Sequence, residues 1–226
     1  MKAATVTGTA FGSKALQVMS SGTGNTAVGL TALANITTSS NNTAVGAEAG
    51  VRISTTNAGG NTAIGYQAYA GSGTVGSNTG ARNTALGYQA MSGTANADDN
   101  VAIGWQAGKN LASAAGGGQG CVIMGSEAGD AITVGQRSVV IGAFANSANT
   151  SVTDSVIIGY ASGAASGYNT SATIVGGQAG TTLTTGTGNT LVGFNSLNSV
   201  TTSANNSVFG EGAGQRISST NTGNNT

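Results

Sequence analysis

Few residues in this 226-residue chain could do chemistry, and their types exclude most of it. There is no histidine, so the commonest general base and the commonest metal ligand are both missing. A single cysteine, Cys121, allows no intrachain disulfide framework, and a nucleophilic thiol would need a base beside it. The seven carboxylates are Glu48, Asp98, Asp99, Glu127, Asp130, Asp154 and Glu211. They form no calcium-binding repeat and no acidic pair that recurs in stacking register, and Asp98-Asp99 reads as a polar turn. Gly71–Gly76 matches GxGxxG, but no helical pattern follows it, and 39 glycines make chance matches common. Neither catalysis, a cofactor nor a metal is expected. What remains is a row of rings. Tyr66, Tyr88 and Trp105 hold equivalent places in three consecutive repeats, each followed by a glutamine (Gln67, Gln89, Gln106), with Tyr69 close by in sequence. Rings pack on apolar sugar faces and amides bond hydroxyls, so these seven residues are the candidate glycan or partner surface. The competing reading is a ladder of rings stacked on one another or at a chain interface.

A repeat sets these positions. Asn-Thr-Ala-Val-Gly at 25–29 returns at 42–46, 61–65, 83–87, 100–104, 121–125, 138–142, 155–159, 172–176, 189–193 and 206–210, with a degenerate copy ending at Gly12. The closing glycines are Gly12, Gly29, Gly46, Gly65, Gly87, Gly104, Gly125, Gly142, Gly159, Gly176, Gly193 and Gly210, at spacings of 17, 17, 19, 22, 17, 21, 17, 17, 17, 17 and 17. A period near 17 predicts a solenoid in which each repeat is one coil stacked on its neighbours. Residues 1–226 thus read as one array: all-β, a parallel β-roll or β-helix of about twelve coils, roughly 60 Å long at one strand spacing per coil.

Composition agrees. Charged residues are 6% of the chain, the net charge is zero and there is no proline. Seven scattered cations leave no footprint for nucleic acid. Met1-Lys2 is followed by small polar residues rather than a signal-peptide core, and no apolar run suits membrane insertion.

Within the coil, the residue before each closing glycine is apolar (Val28, Ile64, Ile141, Phe209) and the one two earlier is mostly Thr or Val (Thr26, Thr62, Val139). Period-2 spacing puts this pair on one face of a short strand, which is assigned to the interior. A small residue, usually alanine, follows three after each glycine, as a tightly wound coil requires. The strand's middle residue, Ala27, Ala44, Ala63, Ala85 and Ala102 in early coils, becomes Ile123, Val140, Ile157, Ile174, Leu191 and Val208 later. With the pair inside, these six form an exposed apolar stripe and a candidate oligomer seam. The alternative is a flattened coil whose second strand covers them internally.

Two further ladders emerge. Arg82 and Asp99 are 17 apart, as are Arg137 and Asp154, so each pair should stack in adjacent coils as a register device. Asn25, Asn42, Asn61, Asn83 and Asn100 share one slot with Asn189 and Asn206, as stacked amides would; Cys121 takes the same slot as a small buried substitute. At a higher level, residues 42–62 align with 206–226, Arg52 with Arg216, and the surplus residues of long coils should bulge outward as loops. Asn224-Asn225-Thr226 opens another repeat, as expected either of a fragment of something longer or of a coil that a partner completes.

The N-[TS]-[AV]-[VI]-G phrase, continued as GYQA at Gly65–Ala68 and Gly87–Ala90, resembles repeats of phage tail fibres and related virion appendages. The SVVIG and SVIIG versions are similar to head repeats of trimeric autotransporter adhesins. Both resemblances imply a parallel β-roll or β-helix, commonly a homotrimer, on a virion appendage or at the cell surface. The expected function is a structural fibre giving rigid reach and surface display for host attachment, with a glycan-binding adhesin as the alternative. A third reading is ice binding through Thr26, Thr43, Thr62 and Thr84, set low because that ladder breaks at Val101 and Val122 and because alternation turns these threonines inward.

Overall fold

The structure, a computed structural model, describes residues 7–53, 58–73, 78–111, 119–165, 168–199, 201–202, 204–215 and 217. Among these there is no helix, and the chain is a parallel β-solenoid. The phrase at each repeat forms one strand: β1 (Thr7–Phe11), β2 (Thr23–Val28), β3 (Thr43–Val45), β4 (Thr62–Ile64), β5 (Thr84–Leu86), β6 (Val101–Ile103) and β7 (Val122–Met124). Three more strands lie on the other side of the coil: β8 (Val134–Gln136), β10 (Ser151–Thr153) and β12 (Tyr168–Thr170). Between and after them run β9 (Val139–Ile141), β11 (Val156–Ile158), β13 (Thr173–Val175), β14 (Thr190–Val192) and β15 (Ser207–Phe209). The phrase strands make a 12-stranded parallel sheet in chain order, bounding eleven turns, and β12, β10 and β8 make a 3-stranded sheet. Register is strict: Thr26 pairs with Thr43, Ala27 with Ala44 and Val28 with Val45, and the longer coils keep the same pairing.

The inside and outside of the strand are the reverse of the expectation. The middle residues Ala27, Ala44, Ala63, Ala85 and Ala102 are fully buried, and so are Ile123, Val140, Ile157, Ile174 and Leu191, with Val208 at 5% exposure. None of these six can be the seam; they are the core. The flattened coil explains it, because a second wall carrying Val152, Ile132, Leu111 and Leu183 closes over them. A three-residue strand offers this thin interior only one side chain. The pair on either side therefore points out: Val45, Ile64, Leu86 and Phe209 are exposed and Thr26, Thr43, Thr62 and Thr84 are half-exposed.

Side-chain size trades across the interior in several coils. Where the middle residue is a buried alanine, the fourth residue after the glycine is large in three coils (Leu33, Tyr69, Met91) and glycine in two (Gly50, Gly108). Where it is Ile, that place is glycine (Gly129, Gly163, Gly180), while Leu191 and Leu197 are both large. A Cβ on Gly129 would sit 2.6 Å from Ile132 Cδ1, and one on Gly180 would sit 3.0 Å from Leu191 Cδ1. The alanine expected three after the glycine is buried from Ala32 to Ala179, with Ser162 and Ser196 serving where it is absent. Residues 54–57, 74–77 and 112–118 of the three long coils, where outward loops were expected, lie outside the described residues, as do Thr74, Val75 and Gly76 of the GxGxxG match and Arg216 with 218–226.

The corner is made by the closing glycines. Gly125 has φ +134°, a region L side chains rarely adopt, and a Cβ there would stand 2.6 Å from the carbonyl group of Gly142. Gly12 through Gly193 meet the next coil's glycine in the same way. Gly125→Ala is therefore expected to lower stability by more than about 3 kcal/mol in denaturant unfolding. Gly120→Ala (φ +68°, nothing within 4 Å) should lose only the left-handed penalty of about 1–2 kcal/mol.

Candidate functional site

Four side-chain columns and one open sheet face are the chemistry of this surface. The asparagine column lies just before the sheet and is buried throughout. Asn42 Oδ1 accepts the Asn61 backbone N–H at 3.0 Å and the Asn61 side-chain amide at 3.1 Å; Asn61 serves Asn83 in the same way, and Asn83 serves Asn100. One carbonyl thus satisfies two buried donors of the next coil. Asn100 Oδ1 accepts the Cys121 N–H at 2.9 Å, after which Ser138 and Ser155 continue the column through their hydroxyls. Burial pushes the Cys121 thiol pKa up, so it is not an activated nucleophile.

The Arg82 Nε and Nη2 donate to Asp99 at 2.5 and 2.9 Å, and Arg137 holds Asp154 at 2.6 and 2.9 Å. These four residues occupy a slot, five before the closing glycine, where the backbone is left-handed in coil after coil. The slot holds Gly24 (φ 69°), Asn41 (φ 62°), Arg82 (φ 57°), Asp99 (φ 61°), Gly120 (φ 68°), Arg137 (φ 45°) and Asp154 (φ 51°). Glycine and asparagine are the sequence signal for this turn, and it was hidden by the charges that replace them. The guanidinium beside each aspartate holds its carboxyl below the usual range.

The aromatic set divides. The Tyr66 and Tyr88 rings stack at 5.2 Å between centroids, inclined by 25°, and both are exposed, as is Trp105. Beneath them Gln106 Nε2 donates to Gln89 Oε1 at 2.8 Å, Gln89 to Gln67 at 2.8 Å, and Gln67 to Glu48 at 2.9 Å. The amides are committed to one another, and the tyrosine faces to each other. Tyr69 is not on this surface. It is fully buried in the widest coil, where Asn83 Nδ2 donates to its hydroxyl at 2.9 Å and its O–H donates to Asn78 Oδ1 at 3.2 Å. Burial raises its pKa well above the ordinary phenol value. A coil of 22 residues encloses more volume than alanine and glycine fill, and Tyr69 occupies it. A second ring pair, Phe144 and Tyr160, meets edge-on at 6.0 Å.

The open face was missed because the parity was reversed. It carries two columns on the 12-stranded sheet. One holds Thr26, Thr43, Thr62, Thr84, Val101, Val122, Val139, Val156, Thr173, Thr190 and Ser207; the other is aliphatic from Val28 to Val192 and ends in Phe209. Among the described residues no group of three or more acidic, cysteine or histidine side chains could hold a metal, and no helix is long and apolar enough to cross a membrane. No protein-family model, curated protein or solved structure matches the chain.

Two outcomes follow from the columns. Asn61→Ala removes the acceptor of two buried donors and is expected to lower stability by about 2–4 kcal/mol in urea unfolding. The aspartate carboxyls have depressed folded-state pKa values. Their contribution is present above the unfolded value, about 4, and is lost as pH falls through the folded one. The ion pairs are exposed, so the effect is small. The wild-type melting temperature should fall slightly more between about pH 5 and pH 2 than that of an R82G/R137G variant.

Proposed function

We propose that this chain is a structural fibre protein of a phage tail fibre or other virion appendage. In this reading it assembles as a homotrimer and supplies rigid reach and surface display for host attachment. The observation that carries the reading is the open face: two in-register columns, one apolar from end to end, running the length of a solenoid about 50 Å long. Soluble monomers rarely expose a contiguous apolar strip of that extent, and copies of the same chain cover it most simply. The seam is thus moved from Ile123–Val208 to the flanking residues, Val28 to Phe209 with their threonine and valine partners. Rigidity has a physical source in the asparagine and glutamine columns and the stacked glycines, which tie every coil to the next.

A second reading gains from the structure. The four threonines that were expected to point inward point outward, and a sheet with one hydroxyl per coil over these coils is a surface on which water can be ordered as in ice, although the row is broken from Val101 to Val156. It needs the same face free, so the two readings exclude each other. The aromatic row supports glycan binding less, since its amides and two of its rings are already engaged with one another.

Light scattering on the purified chain is expected to give three times 21.6 kDa, and antibodies to the chain should label purified virions along an appendage. A stable monomer that shows thermal hysteresis would replace the fibre reading by ice binding.

A further inference from the structure

The open face is not uniform. Its first column is hydroxyl in coils one to five (Thr9, Thr26, Thr43, Thr62, Thr84), valine in the next four (Val101, Val122, Val139, Val156) and hydroxyl again at Thr173, Thr190 and Ser207. Among the described residues, the hydroxyls of Thr26, Thr43, Thr62 and Thr84 have no hydrogen-bond partner in their own chain, whereas Thr133 and Thr184, on other faces, bond the next coil's backbone carbonyls. The sheet leaves these outward hydroxyls for something outside the chain.

We infer that this hydroxyl–valine–hydroxyl order fixes how copies assemble: parallel and in register, with the threonines of each rung hydrogen-bonded to one another across chains. The inference rests on the fibre reading. Area is the first argument. The valine block alone spans four rungs, about 20 Å by 10 Å, or about 200 Å², and the whole face of twelve rungs is about 550 Å², itself below the roughly 800 Å² per partner of a standard interface. A stable seam must therefore use the whole face, and the threonines go into it. Buried hydroxyls need partners, and the chain itself supplies none.

Geometry then selects the partner. In a parallel, in-register assembly every rung meets its own kind. Around a three-fold axis, three threonine hydroxyls at one height can each donate to the next and accept from the last, which satisfies all three, while the valine rungs meet as a dry block. An antiparallel pair centred on the array would set Thr62 against Val156 and Thr84 against Val139, leaving four hydroxyls against methyl groups. Shifting that pair to match the valine blocks uncovers the first two rungs, including Phe11 and Val28. A parallel pair slipped by one coil sets Thr84 against Val101. Polar rungs within an apolar seam act here as a buried asparagine does in a coiled coil, by penalising wrong registers.

The test is cross-linking of the full chain. In a Cys121→Ser background, Thr62→Cys and Thr190→Cys are made separately; Ser138 and Ser155 hold the same slot as Cys121, so serine fits there. Each variant is oxidised with copper to form a direct disulfide, which needs α-carbons within about 7 Å and so disfavours a slip of even one rung, about 4.8 Å along the axis. Both variants are expected to give a band at twice the chain mass, because equivalent residues share a height. In the antiparallel arrangements two copies of residue 62 lie at least five rungs apart, about 24 Å, and do not react. An assembly that scatters as an oligomer yet gives no self-cross-link at either position overturns the inference while leaving the fibre reading standing. A chain that scatters as a monomer overturns the fibre reading first. Circular dichroism on each variant identifies one that has not folded, and the other position then decides.

Discussion

The structure depends on how closely one coil can approach the next at its corner. Each closing glycine from Gly12 to Gly193 takes a φ between +127° and +139° and brings its α-carbon against the carbonyl of the glycine one coil on, where a methyl group would stand 2.3 to 2.6 Å away. That contact sets the rise, and the rise puts strands at hydrogen-bonding distance and each side chain over its own kind. The ladders follow from it. Once coils stack with no offset, an asparagine finds an asparagine, an arginine finds the aspartate 17 residues on, and a glutamine finds a glutamine. A period that wavers to 19, 21 and 22 is tolerated because the extra residues leave the corners and strands in register.

The thin interior is the second constraint, and it shows why alanine and isoleucine exchange along the chain. The space between the two walls is narrow, so a buried middle alanine is joined by a large side chain at the fourth place after the glycine in three coils, and each middle isoleucine is joined by glycine there. Tyr69 is the extreme case: the widest coil is filled by a ring whose hydroxyl is held by two asparagines.

The sequence made the period, the parallel stacking, the buried alanine and the asparagine column legible, because each rests on a residue type recurring at a fixed interval. It did not make the inside of the strand legible. Alternation says that Thr26 and Val28 share a face and Ala27 has the other, but not which face is core. The more apolar face looked like the core, and in an isolated globular domain it would be. Here the core is narrow enough for alanine, and each three-residue strand leaves two of its side chains outside. The exchange of size between Ile123 and Gly129, or Ala85 and Met91, was written in the sequence, but Ala44 with Gly50, Ala102 with Gly108 and Leu191 with Leu197 break it, so it does not decide the face by itself. Tyr69 was misplaced for a related reason: its neighbours in sequence are surface aromatics, but its place in the coil, four after the glycine, is an interior one.

That parity is the central claim, and one pair of substitutions tests it directly. Ile157 and Ile158 are adjacent and identical in type, yet Ile157 is fully buried and Ile158 is half-exposed on the sheet face. Circular dichroism and thermal unfolding of I157D and I158D should separate them. The account expects I157D to lose its β spectrum, since a carboxylate would sit unpaired in the core, and I158D to keep it. The opposite result, a folded I157D and an unfolded I158D, would contradict the assignment and restore the inverted coil.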